Sequence, residues 1–377
     1  MEQVDIIVIG AGIAGASAAF ALSEEASVLL LERESQPGYH TTGRSAAVFA
    51  PAYGNLAIRR LTAASRSFYD AQAGGLADGP VLHARGELLI ARPDQLGSLD
   101  QAEADLAQEA GGVERLDTDA VIERLPVLDP GYVAAALADD AAMDMDVAAI
   151  HQGFLRGFRR RGGRLQTDAE VTSLRQDRAG WEVTWRSGVC RADIVVNAGG
   201  AWADDIADLA GVARIGLVPK RRTAFIFDPK DRIDPAWPIV IDVDESFYFK
   251  PESGLMLGSP ADETPSPPTD AQPEELDVAL AVDRIERATV WQVTSVKRRW
   301  AGLRSFVADK TPVVGFDLDR HGFFWLAGQG GYGIQTAPAL ARVAAALALG
   351  RALPDDIAAT GLGAEELAPE REGLRHA

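Results

Sequence analysis

Hydrophobic positions along this 377-residue chain fall into short runs broken by glycine clusters, and the first run sets the pattern. Val4-Asp5-Ile6-Ile7-Val8-Ile9 is apolar almost throughout, as expected of a strand buried on both faces. It breaks at Gly10-Ala11-Gly12-Ile13-Ala14-Gly15, and the alanine-rich stretch to Leu22 reads as a helix. A second apolar run, Val28-Leu29-Leu30-Leu31, ends in Glu32-Arg33. Strand, glycine turn, helix and acid-tipped strand in this order predict a cradle for a dinucleotide. Gly10 suits the tight turn, Gly12 the approach of a pyrophosphate, and Gly15 the packing of helix on sheet. The start of the helix, at Ile13 and Ala14, offers unpaired N–H groups and the positive end of a dipole to phosphates. Glu32 can accept from both ribose hydroxyls and would repel a 2′-phosphate.

Farther along, helical periodicity covers Leu56–Gln72, Gln95–Gly111, Val147–Arg161 and Thr336–Leu349. Strand-like runs are Arg85–Ala91, Ala169–Leu174, Ala192–Asn197, Arg222–Phe227, Ser246–Phe249 and Leu255–Leu257. Lys250-Pro251-Glu252-Ser253-Gly254 reads as the turn joining the last two, and Asp262 to Gln272 as an exposed loop. Ala192–Asn197 runs into Ala198-Gly199-Gly200, a βα rhythm like that of the N-terminus, and Gly322–Gly333 repeats it. The chain therefore returns to its first sheet after visiting a second, antiparallel one. The expected organisation is two interleaved units rather than two consecutive ones.

Composition narrows the partners. Fifty-five acidic against 37 basic residues give a net charge of −18, which repels nucleic acid and anionic membranes, so an anionic substrate must meet local arginines. The single cysteine, Cys190, excludes internal disulfides, and the five histidines show no metal-ligand spacing. No basic leader or cleavage site precedes the first strand, so a cytoplasmic location is expected.

Six segments carry a family resemblance: PGYHTTGRSAA (37–47), PAYG (51–54), PKRRTAFIF (219–227), DESFYFKP (244–251), AGLRSFVAD (301–309) and GQGGYGIQT (328–336). Together they resemble the D-amino acid oxidase-like superfamily of FAD-dependent amine oxidoreductases, and within it the D-arginine dehydrogenases. The resemblance implies an α/β fold: a Rossmann-type FAD-binding domain (1–80, 147–215 and 296–377) interleaved with an antiparallel-sheet α+β substrate domain (81–146 and 216–295). It implies FAD held without a covalent bond, although some relatives use a histidine near His40. Ser45 and Ala46 would let backbone approach the flavin, Thr42 and Arg44 would hydrogen-bond the pyrophosphate side, and the backbone of Val171 would meet adenine. Gly200 and the segment Gly330, Gly331, Tyr332, Gly333, Ile334 and Gln335 complete the expected cofactor contacts. The helix that follows favours negative charge on the reduced ring.

For the substrate, Arg222 and Arg304 sit among apolar residues, where a guanidinium needs a partner, and its planar fork matches a carboxylate. A salt bridge to an internal acid is the competing reading of each. Tyr248 would add a hydroxyl to the same carboxylate, and Tyr53, Gly331 and Gln335 would line the pocket. Glu87, an acid opening an apolar strand, would select a cationic side chain unless Arg85 or His83 already neutralises it. Where D-arginine dehydrogenases carry a histidine and a threonine before the PAYG turn, this chain has Val48 and Ala50, so the wall loses two polar contacts. The activity implied is oxidative deamination of D-amino acids, basic ones included, by hydride transfer to the flavin. A quinone-like or protein electron acceptor is expected, and membrane contact is left open. Secondary amines such as sarcosine, glycine, 2-hydroxy acids and a flavin-bearing subunit without turnover are the alternatives.

Overall fold

A computed structural model describes residues 2–71, 75–106 and 112–374. The first sheet has a parallel core in the order Phe323–Ala327, Gly188–Asn197, Glu2–Ile9, Val28–Leu31, Arg164–Gln166. An antiparallel hairpin, Val171–Asp177 and Gly180–Trp185, extends the first half of strand Gly188–Asn197. Val313–Phe316 borders the opposite end. Helix Ile13–Leu22 is wedged between this sheet and helices Val147–Arg160 and Gly333–Ala348. Ala16, Ala18 and Ala19 are fully buried there, because only a methyl-sized side chain lets three helices and a sheet approach so closely.

The second sheet runs Thr264–Pro265, Val218–Phe227, Leu255–Ser259, Tyr248–Glu252, Ile239–Asp242, Glu87–Ala91, Ala135–Asp139, Glu114–Asp117. Strand Val296–Phe306 pairs antiparallel with Val218–Phe227 along its whole length. That ladder puts residues 296–306 in the second sheet, across the boundary drawn at 296 from the sequence. The alternation of side chains separates two faces. Leu88, Ala138, Val240, Phe249, Phe225 and Phe227 pack beneath helix Glu275–Ala288, while Arg222, Ala224 and Tyr248 face the first sheet. A small third sheet of Val48–Phe49, Met143–Met145 and Leu82–Ala84 bridges the two.

Several element boundaries differ from the expected ones, two of them beside the cleft or its supporting hairpin. The turn expected over residues 250–254 is only Ser253-Gly254, both at positive φ, and Lys250, Pro251 and Glu252 continue the strand. Helix Gly333–Ala348 starts three residues early, with Pro338 inside it. Helices Leu56–Asp70 and Leu96–Leu106 match the predicted patterns, whose ends at residue 72 and at 107–111 lie outside the described residues.

Candidate active site

Strands Glu2–Ile9, Val28–Leu31 and Gly188–Asn197 end at a cleft of about 1830 Å3, part of it open to solvent. This is where open α/β sheets bind their ligands. The glycine turn is shaped as its spacing predicts. Gly10 has φ +99°, and a Cβ there would lie 2.4 Å from the Ala198 carbonyl oxygen. A Cβ on Gly15 would lie 1.8 Å from the Gly10 carbonyl oxygen, whereas beside Gly12 the nearest atom is Thr42 Oγ1 at 3.3 Å. Room is therefore left where a pyrophosphate must approach, and Gly12, at the N-cap, places no side chain over the helix start. Gly15→Ala is expected to purify without bound flavin; a yellow variant with full cofactor content would overturn that account of the turn.

Several expected contacts need correction. Thr42 Oγ1 accepts from Ile13 N–H at 2.9 Å, so it caps the helix and keeps only its own proton for a phosphate. Arg44 lines the cleft, but its guanidinium is already engaged by protein groups. It donates to the carbonyls of Ala271 and Ala301, each at 3.0 Å, and to Asp270, because two unpaired carbonyls and a carboxylate lie within its reach. Glu32 is buried, accepts from the N–H groups of Ala11 and Glu34, and has its pKa raised by that burial. Its remaining lone pairs face the cleft. Arg33, Ser45, Ala46, Val171 and Gly200 line the cleft as expected.

Three cleft features were not foreseen. His151 is buried below the turn, and its Nε2 lies 2.9 Å from the Ala11 carbonyl oxygen, so the peptide groups flanking Ala11 are gripped on one side by Glu32 and on the other by His151. Burial lowers the His151 pKa and keeps the ring neutral, with Nε2–H donating. The amphipathic pattern of Val147–Arg160 puts this histidine on the buried face, which was the signal available in the sequence. His40 and Trp202 meet at a tilt with ring centroids 4.7 Å apart, Arg33 lies over the indole at 4.8 Å, and all three line the cleft. Ser305 Oγ and Gln329 Nε2 are buried cleft residues' polar atoms that no protein group satisfies.

At the far end the two arginines differ. Arg304 Nη1 donates to the Tyr53 hydroxyl at 3.4 Å, and among the described residues no carboxylate pairs with it. A Cβ on Gly331 would lie 2.8 Å from Arg304 Cζ, so the glycine is what lets the guanidinium lie against that backbone. Arg222 faces the same cleft but is partly engaged, its Nε bonded to the Asp262 carbonyl at 2.9 Å and its Nη2 at 3.4 Å from Glu263. Tyr248 lines the cleft between them. Burial raises the pKa of Tyr53, so its hydroxyl stays protonated.

Other predicted pocket residues have structural duties. The Gln335 amide bridges Ala50 N–H (3.2 Å) and Thr62 Oγ1 (2.8 Å), and neither Gln335 nor Ala50 lines the cleft. Tyr332 packs on Tyr53 and Phe306 behind the glycine segment, while Gly330, Gly333 and Ile334 line the cleft. Val48 joins the apolar cluster of Ile239, Tyr248, Leu257 and Ala46. Glu87 lies outside the lining residues. It shares the Tyr248 face of the sheet through the register Glu87–Ile239 and Ile241–Tyr248. Arg85, its expected competitor, bonds Asp144 instead. Among the described residues no cation pairs with Glu87, and burial, with Asp139 and Glu245 nearby, pushes its pKa up to about 7.

The residues present fit FAD. The glycine turn leaves room for a pyrophosphate, the Glu32 carboxylate lines the cleft beside it, and two orphaned polar atoms belong to other residues of the same lining. No group of His, Cys, Asp and Glu among the described residues could hold a metal ion, and no helix among them is long and apolar enough to cross a membrane.

A parallel nucleotide-binding sheet whose cleft continues over an antiparallel sheet defines a flavin-dependent oxidoreductase. The chain belongs to the DAO family of FAD-dependent oxidoreductases, whose profile matches residues 5–347. Glycine oxidase of Bacillus licheniformis is 25% identical over 373 residues, covering 93% of this chain and 94% of that protein. Mitochondrial dimethylglycine dehydrogenase of Homo sapiens is 24% identical over 68% of this chain, which spans only 30% of that longer protein. Among solved structures, L-proline dehydrogenase from P. horikoshii superposes with TM-score 0.83 at 21% identity, covering 98% of this chain and 97% of the other. Glycine oxidase from Geobacillus kaustophilus does so with TM-score 0.81 at 20% identity, covering 93% and 96%.

Proposed function

We propose that this protein oxidises the Cα–N bond of D-amino acids, basic ones among them, to 2-oxo acids and ammonia. The observation that carries the reading is Arg304, a cation in the cleft bonded to a tyrosine hydroxyl and, among the described residues, to no carboxylate. An unpaired guanidinium in such a place is costly until an anion arrives, and a substrate carboxylate answers its fork. Arg304, with Tyr248 and the less available Arg222, fixes that carboxylate and so orients Cα, which speeds reaction by positioning. Bound FAD supplies the two-electron acceptor that takes the Cα hydrogen as hydride. The neutral amine's lone pair forms the imine, which water hydrolyses, so no side-chain base is required at Cα. Glu87 supports the cationic preference because no cation among the described residues pairs with it. It stands two strands from Tyr248, roughly 10 Å across the sheet at 4.8 Å per strand, so only a long side chain reaches it. FAD is held without a covalent bond, and the electrons leave to a quinone-like or protein acceptor.

A second reading keeps the fold and changes the substrate to glycine or a secondary amine, favoured by the names of the glycine oxidase and dimethylglycine dehydrogenase relatives. Anaerobic mixing of the flavoprotein with D- and L-amino acids, glycine, sarcosine and 2-hydroxy acids separates the two. Bleaching of the flavin band by D-Arg and D-Lys is expected. Bleaching by glycine and sarcosine alone would sink the D-amino acid reading.

A further inference from the structure

The two orphaned atoms lie on either side of a single backbone hydrogen bond. Ser305 follows Arg304 on strand Val296–Phe306, and its carbonyl accepts from Gly330 N–H at 3.0 Å. Gln329 immediately precedes that glycine, and its carbonyl accepts from Tyr332 N–H at 2.9 Å. Both carbonyls are thus committed, while Ser305 Oγ and Gln329 Nε2 are buried with no partner. Other buried polar side chains nearby are satisfied within the protein. Ser259 bonds the Thr223 carbonyl, Thr336 the Tyr332 carbonyl, and the Gln335 amide is used at both ends. Folded proteins rarely leave such atoms unpaired, and two in one wall of one cleft mark a hydrogen-bond set that a ligand completes.

The wall itself says which ligand. Gly330 and Gly331 line the cleft next to Gln329; a Cβ on either would run into Phe306 or Arg304, so backbone rather than side chain forms the wall there, as the edge of a flat polar ring requires. We infer that Ser305 and Gln329 are flavin-binding residues whose side chains donate hydrogen bonds to the polar edge of the isoalloxazine ring. A hydroxyl and an amide N–H bond more strongly to an acceptor that gains electron density. Both residues therefore hold the reduced ring more tightly than the oxidised one and raise its reduction potential. The sign holds for acceptors that stay unprotonated when the ring is reduced, such as its carbonyl oxygens.

The test uses the full chain with Ser305→Ala, Gln329→Leu, the double variant, and Ser305→Thr, which keeps the hydroxyl. FAD affinity is read by titrating the apoprotein and following flavin fluorescence, and the midpoint potential by equilibration with a reference dye. Each single removal is expected to weaken FAD binding about tenfold. Each is also expected to shift the two-electron equilibrium toward the oxidised form by up to tenfold, or about 30 mV. The double variant should approach the product of the two, and Ser305→Thr should resemble wild type. If Ser305→Ala holds no FAD while Ser305→Thr does, the inference stands; if both lose it, the hydroxyl is not the cause and the inference fails. Unchanged affinity and potential overturn it, as does an effect confined to substrate KM, which would assign both groups to the substrate instead.

Discussion

Replacing Arg304 by methionine is expected to lower kcat/KM for every amino acid substrate by about a thousandfold, with FAD content unchanged. The proposed carboxylate loses its only unengaged cation, while methionine fills much of the volume without leaving a buried charge. Arg304→Lys should fall between, since an ammonium restores charge but not the two parallel donors of the fork. Arg222→Met should cost less, about tenfold, because its guanidinium is already shared with Glu263 and the Asp262 carbonyl. Steady-state rates with an artificial electron acceptor measure all three. Arg304→Met within tenfold of wild type would remove the clamp from the proposed mechanism.

The second large effect concerns Glu87 and pH. Its pKa of about 7 lies above the ordinary carboxyl value of 4.5, so the folded protein favours the neutral acid. Stability contributed by that preference is fully present below pH 4.5 and is lost as pH rises through 7. The penalty above 7 is on the order of 3 kcal/mol, from 1.36 kcal/mol per pKa unit. Thermal melts without substrate should therefore show Glu87→Gln gaining on wild type at pH 8 and matching it at pH 4. Substrate preference runs the other way. The ratio of kcat/KM for D-Arg to that for D-Leu should climb up to about pH 7 and then level off, as the carboxylate that pairs with the guanidinium forms. In Glu87→Gln the ratio should be flat and lower by about ten- to a hundredfold at pH 8. A wild-type ratio independent of pH would show that Glu87 does not meet the substrate.

What could be read from the residues was whatever local spacing dictates. The glycine turn follows from three positions within six, and the structure shows each glycine where another residue would collide or close the cradle. What could not be read was where long polar side chains finish. Gln335 bonds Ala50 N–H across 285 positions of sequence, and Arg44 meets carbonyls more than 220 residues away. Both contacts exist only once the sheets have come together. The hairpin boundary was misread for a different reason. Pro251 looks like a turn residue, yet the ladder with Ile239–Asp242 stops at Phe249, so its missing N–H falls where no neighbour needs one. Glu87 shows the converse case, in which a nearby basic residue in sequence, Arg85, found a better partner in space.

The first sheet begins with residue 2, yet its Phe323–Ala327 strand and the helix Gly333–Ala348 that covers Ile13–Leu22 come more than 300 residues later. A ribosome therefore releases the glycine turn long before the elements that shelter it exist. The full cleft cannot assemble until residues 323–348 have emerged, so FAD loading is expected to follow synthesis of the glycine turn rather than accompany it. Truncation within helix Gly333–Ala348 should accordingly yield colourless protein even though every residue of the glycine turn is present.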